Sequence, residues 1–164
     1  MYTIGDRVSY PMHGAGIIED IEQREMDGEI NQYYVLKFAL GDMKVMVPVK
    51  NVQDVGLREI ITVKQYEEVM RCLGENGDDP SLNWNRRYRE NLDKMRTGNI
   101  FDVAEVVRSL TLRDRRKGLS TGERKMLGNA SQILLSELVL VSGMCEEEVK
   151  QCITDAICED ECEE

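Results

Sequence analysis

A single histidine leaves little room for histidine-based catalysis in this chain. His13 lies in a glycine-flanked turn beside no obvious nucleophile, so a Ser-His or Cys-His arrangement has no support. There is no P-loop, no Gly-x-Gly-x-x-Gly after a strand and no His-Glu-x-x-His helix, and the many carboxylates fall in no pattern that singles out an acid/base pair. An enzyme is therefore not expected, nor a cofactor or a small-molecule substrate. No apolar run reaches the ~18 residues a membrane helix needs, and the N-terminus lacks the basic and apolar stretches of a signal peptide, so a cytoplasmic protein without a membrane partner is expected. Five Cys, an odd number gathered mostly near the C-terminus, do not form a secreted disulfide framework. Cys145, Cys152, Cys158 and Cys162 lack zinc-finger spacing, and Cys152 falls on an apolar stripe as a small hydrophobe, so no metal is expected. The lesser alternative is a soft-metal or redox pair, Cys158 and Cys162, on one face of a continued helix.

What is present is charge, unevenly placed. The net charge of −10 hides a basic block: residues 81–130 hold 12 Lys and Arg against 6 Asp and Glu, whereas residues 131–164 hold 1 against 10. Such asymmetry says more about partners than the total does.

Taken in order, residues 1–60 read as β. Arg7–Tyr10 alternates and stops at Pro11. Met12-His13-Gly14-Ala15-Gly16 is a turn, and a long strand follows from Ile17 to Glu25. Asp27-Gly28 suits a type I′ hairpin, Tyr33–Phe38 returns, and after Gly41-Asp42 the segment Met43–Val49 alternates. Short strands and tight turns predict a strongly bent sheet or small Tudor/SH3-like β-barrel, with Val8, Ile18, Val35, Leu36, Phe38, Val45 and Val47 as its core. So modest a core also predicts packing against the second half.

Residues 61–158 change to helical period and predict a compact all-α bundle of about five helices, making the chain α+β. Thr62 caps the first helix, whose stripe is Val63, Tyr66, Val69, Met70 and Leu73. Asp79-Pro80, with Ser81 competing, starts a second helix that ends before Gly98. Asn99-Ile100-Phe101-Asp102 opens a third, lined by Val103, Val106, Val107 and Leu110. Ser120-Thr121-Gly122-Glu123 is a capping box for a fourth that Gly143 ends, and Val149, Cys152, Ile153, Ala156 and Ile157 line a fifth. Residues 159–164 form an acidic, Cys-containing tail.

The sole Trp stands in Asn83-Trp84-Asn85-Arg86-Arg87-Tyr88-Arg89. At 100° per residue Trp84, Tyr88, Asn91, Leu92 and Met95 share one side, Arg86 and Arg89 fall opposite, and Arg87 lies on a flank. Periodicity alone makes Trp84 a core residue and the arginines a solvated face. The other reading is a nucleic-acid tip, since rings stack on or wedge between bases while guanidinium groups pair with phosphate. A second cluster, Arg113-Asp114-Arg115-Arg116-Lys117-Gly118, reads as a loop before Ser120, with Arg124 and Lys125 nearby. Convergence of the two on one face is not visible in the sequence.

Gly5-Asp6-x-Val8-x-Tyr10-Pro11-x-His13-Gly14-x-Gly16, Tyr34-Val35-Leu36-Lys37, Val47-Pro48, Asn83-Trp84-x-Arg86-Arg87-Tyr88 and Gly118-Leu119-Ser120-x-Gly122-Glu123 together resemble the CarD/CdnL family of bacterial transcription regulators. The resemblance runs from residue 3 to about residue 140. It implies a Tudor-like domain that binds the β-subunit lobe of RNA polymerase, similar to the polymerase-interacting module of transcription-repair coupling factors. It also implies a helical domain that contacts promoter DNA, with weak sequence preference, at the upstream edge of the bubble. On that pattern Trp84 is the minor-groove wedge, and Arg86, Arg87 and Arg89 are phosphate contacts; Arg115, Arg116, Lys117 and Lys125, from the second basic cluster and its neighbourhood, are expected to join them on DNA. Arg24, Tyr34, Met46 and Pro48 are then polymerase contacts. Met46 departs from the Arg found at that position in many members, which replaces an ion pair by an apolar contact.

Overall fold

The computed structural model describes residues 1–75 and 83–158. Five strands come first: β1 (Arg7–Tyr10), β2 (Gly14–Met26), β3 (Glu29–Phe38), β4 (Lys44–Pro48) and β5 (Arg58–Glu59). They form one antiparallel sheet in the order β4-β3-β2-β1-β5. Five helices follow: α1 (Val63–Leu73), α2 (Trp84–Arg96), α3 (Ile100–Arg116), α4 (Thr121–Ser142) and α5 (Glu146–Cys158). The chain is α+β as expected, a Tudor-like sheet and then helices. The sheet is open, with β4 and β5 as its two edges, rather than closed into a barrel.

Local chemistry sets the turns. Asp27 and Gly28 both have positive φ, 53° and 81°, the type I′ requirement, and they set the register Met26↔Glu29. Gly16 has a packing reason: a Cβ there would lie 2.3 Å from the Lys37 carbonyl oxygen of β3. A bulge between Ile18 and Asp20 turns β2. Val8, Ile18, Tyr34, Leu36, Phe38 and Leu57 form the sheet's buried cluster, and Val45 joins it half-buried. Two elements lacked a sequence signal: a 3-10 turn at Val49–Asn51, and β5, which is too short to show a period.

The helices follow their caps. Thr62 and Gln65 form a reciprocal capping box on α1, and Gly143 ends α4 at φ 71° in the left-handed conformation. Three expectations are corrected. Val63 is 65% exposed, because in the first turn of α1 it lies off the packed stripe of Val69 and Leu73. The described part of the second helix starts at Trp84 with Asn83 as N-cap, its side chain accepting from the Arg86 N–H at 2.9 Å. Asp79, Pro80 and Ser81 lie outside the described residues. Arg113–Arg116 belong to the last turn of α3 and not to a loop, since nothing breaks a run of good helix formers before Gly118.

The sheet rests on α4 through close polar contacts. Gly14 has φ 111°, and a Cβ there would meet Ser136 Oγ at 2.8 Å, the same oxygen that accepts the Ala15 N–H. Arg58 of β5 makes two 2.8 Å hydrogen bonds to the carboxylate of Glu137 on α4, and its Nε donates to the Gly98 carbonyl. Glu137 is 1% exposed and also accepts the Ile61 N–H at 2.9 Å. Arg7 adds a hydrogen bond to the Leu140 carbonyl. Breaking one side of a buried pair leaves a charge without water or partner. Arg58→Met is therefore expected to lower stability by about 3 kcal/mol, and Arg58→Met with Glu137→Leu to restore most of it. Urea midpoints check this; a double variant no better than the single would refute the account.

Candidate nucleic-acid interface

The tip of the helical half is assembled where the start of α2 meets the start of α4. Asn83 caps α2 in extended conformation and so places Trp84 as its first residue. The indole is 44% exposed. It stacks on Tyr88, one turn on, with ring centres 5.4 Å apart and planes 21° apart. Its Nε1–H donates to Ser120 Oγ at 2.8 Å. Ser120 is the N-cap of α4, and the same oxygen accepts the Glu123 N–H at 3.2 Å. Gly122 lies against the two rings: a Cβ there would sit 3.5 Å from Tyr88 Cε2 and 3.7 Å from Trp84 Cζ2.

Arg87 corrects the expectation that it reaches phosphate. It is 7% exposed, and its Nε and a terminal nitrogen donate at 2.9 and 2.6 Å to Oε1 of Glu123, itself 1% exposed. The buried residues of α2 are Arg87, Asn91 and Met95, with Tyr88 and Leu92 packed beside them, so the stripe the sequence suggests is kept and widened on one flank to take in Arg87. The burial of Arg87 has a cause in another element. Glu123 of the Ser-x-x-Glu pattern does not close a capping box; its carboxylate serves as counter-ion inside the bundle. Ser-x-x-Glu was the available signal, but it could not name the partner. Trp84, which periodicity put in the core, lies along the same stripe but is the first residue of α2, and it is left exposed at the end of that face.

The other cations are at the surface. Arg86 forms an i,i+4 pair with Glu90 at 3.3 Å with both side chains largely solvated, a contact too weak to fix it. Arg89 is exposed. Arg115, Arg116 and Lys117 are exposed at the end of α3, and Arg124 and Lys125 are exposed in the first turn of α4. The two segments are joined by Gly118-Leu119-Ser120, so the hydrogen bond from Trp84 to Ser120 brings the indole to the junction between them. The structure thus gathers what the sequence kept apart.

On the sheet, Arg24 is solvated on β2 beside Glu22 at 3.3 Å, opposite Asn31 and beyond the end of β4. Met46 and Pro48 are half-buried on edge strand β4. Tyr34 corrects its expected surface role: it is 1% exposed in the sheet core, where its hydroxyl accepts the Tyr2 N–H at 3.0 Å. Burial, and then the carboxylate of Glu59, push the Tyr2 phenol upward from its ordinary pKa. On the same sheet the hydrogen bond from Lys44 holds the Glu19 carboxyl below its usual value. Among the described residues no three His, Cys, Asp or Glu side chains converge as a metal site, and Cys162 lies outside them. No single described helix is long and apolar enough to cross a membrane.

Residues 2–61 match the family described as CarD-like/TRCF RID domain, and residues 68–154 match the one described as CarD, C-terminal domain. YdeB of Bacillus subtilis (strain 168), a candidate transcription factor, is 40% identical over 150 residues, which cover 92% of this chain and 98% of YdeB.

The two neighbouring arginines should separate cleanly in stability. Arg87→Ala strands a buried carboxylate and is expected to cost about 3 kcal/mol, whereas Arg89→Ala should stay within about 0.5 kcal/mol of the parent. Equal denaturation midpoints for the two variants would show that the Arg87–Glu123 pair does not hold the tip.

Proposed function

The chain belongs to the CarD family of transcription regulators, and from that premise we propose that it is a non-catalytic initiation factor that binds RNA polymerase and stabilises the open promoter. The sheet, of the family's polymerase-interacting type, docks on the lobe of the β subunit. Arg24, Met46 and Pro48 lie in that contact, while Tyr34 acts from within by holding Tyr2. The helical half meets upstream promoter DNA in the minor groove. Trp84 wedges at the edge of the bubble, and Arg86, Arg89, Arg115, Arg116, Lys117 and Lys125 pair with phosphates. The factor works in the cytoplasm, at the nucleoid through polymerase.

One observation carries this reading: the sole indole is exposed and held at the junction of two solvated basic segments. An exposed ring beside solvated cations suits nucleic acid, since rings stack on or wedge between bases while guanidinium groups pair with phosphate. An apolar wedge at an already unstacked step adds little deformation energy. Phosphate contacts alone are weak and salt-sensitive, and attachment to polymerase raises the effective concentration of the tip. Stabilising the open state by ~1.4 kcal/mol shifts its ratio to the closed state tenfold, so two modest contacts suffice.

Trp84→Ala is expected to shorten open-complex lifetime by about tenfold while capture of polymerase stays unchanged. An unaltered lifetime would overturn the wedge. Loss of polymerase capture would instead place Trp84 in the protein contact and make the helical half a protein-interaction module.

A further inference from the structure

Ser120 has no part in the reading above, yet among the described residues it is the group that accepts the hydrogen bond of the Trp84 indole. A serine hydroxyl has two lone pairs, and both have donors here: the Trp84 Nε1–H at 2.8 Å and the Glu123 N–H at 3.2 Å. The indole is confined from three directions. Its N–H edge is held by Ser120, one face is covered by Tyr88, and the Cζ2 side faces Gly122, where a Cβ would lie 3.7 Å away. The hydroxyl itself does not drift, because it sits at the N-cap of a helix whose Glu123 is locked to Arg87 one turn inside α2. An exposed aromatic side chain ordinarily samples several rotamers, and every rotamer frozen on binding costs affinity.

We propose that Ser120 is a positioning residue for Trp84, presetting the indole so that the wedge enters DNA without having to be ordered there. The inference rests on the wedge function proposed for Trp84, and it adds that the orientation is built into the free protein. It also gives position 122 a role: a Cβ there would just reach contact with both rings, so a side chain larger than alanine would meet them. Threonine at position 120 keeps the hydroxyl and the cap. Glycine keeps most of the capping preference but has no oxygen, and alanine loses both.

The test uses the full chain, bound to polymerase and promoter for lifetimes and free for spectroscopy. With a single Trp in the chain, fluorescence anisotropy decay reports the indole alone. Ser120→Gly and Ser120→Ala are expected to speed local indole motion and to shorten open-complex lifetime about threefold, the scale of one lost orienting hydrogen bond. Ser120→Thr should restore both. In a Trp84→Phe background, which has no N–H, Ser120→Gly should change lifetime no further. If Ser120→Gly leaves indole motion and lifetime as they were while Trp84→Ala shortens the lifetime, the positioning role fails and the wedge stands. An effect of Ser120→Gly that persists in the Trp84→Phe background also overturns it, by assigning the effect to the cap. If Trp84→Ala itself leaves lifetime unchanged, the wedge fails and the inference with it.

Discussion

Helix α4 carries two carboxylates, Glu123 and Glu137, each only 1% exposed, and each must find a cation inside the protein. Glu123 finds Arg87 of α2 and Glu137 finds Arg58 of β5. The two lie fourteen residues apart, about 21 Å along the helix. One end of α4 therefore fixes the aromatic tip and the other fixes the sheet. Buried ion pairs contribute little net stability against a well-packed apolar alternative, but their geometry is strict. Here that strictness sets where two distant surfaces stand on one rigid rod.

The rest of the bundle gives the rod its surroundings. Val106, Val107 and Leu110 of α3 pack with Ala130, Leu134 and Leu138 of α4 in a dry core. That core is what makes each missing counter-ion expensive. Against it the polar contacts of Ser136 with Ala15 and Ile133 seat the turn into β2 without room for a side chain at Gly14. The sheet is thus held by hydrogen bonds of defined direction as well as by apolar contact, which suits a platform that must aim a tip elsewhere.

Charge follows the same division. The chain is acidic overall, yet solvated cations gather around Trp84. At cellular ionic strength fields decay over ~8 Å, so a ligand at the tip responds to the local cations and only weakly to the acidic remainder. Arginines that do not follow this pattern are structural: Arg58 and Arg87 pair with buried carboxylates, and the buried Arg108 donates to the Glu75 carbonyl. Counting cations by segment finds the basic block but cannot tell these from their neighbours.

Several turns and caps were legible because their causes are local. Asp27-Gly28 needs only its own φ angles, Thr62 and Gln65 only one helical turn, and Gly143 only the freedom to go left-handed. The two-half architecture followed from the change of period near residue 60. On α2 the packed side of Tyr88, Asn91, Leu92 and Met95 was legible, but the burial of Arg87 and the exposure of Trp84 were not, and Tyr34 looked like a surface contact while it fills the sheet core. Periodicity assumes that a charged side chain faces water. A carboxylate 36 residues away in sequence cancelled that assumption for Arg87, while Trp84 is left exposed at the first residue of its helix. Sequence alone determined most of the strands and helices, β5 and the last turn of α3 apart, and where the charge lies, because those depend on neighbours along the chain. Which cation is buried, which ring is exposed and which clusters meet were decided by tertiary packing, because each depends on a partner brought close only by folding.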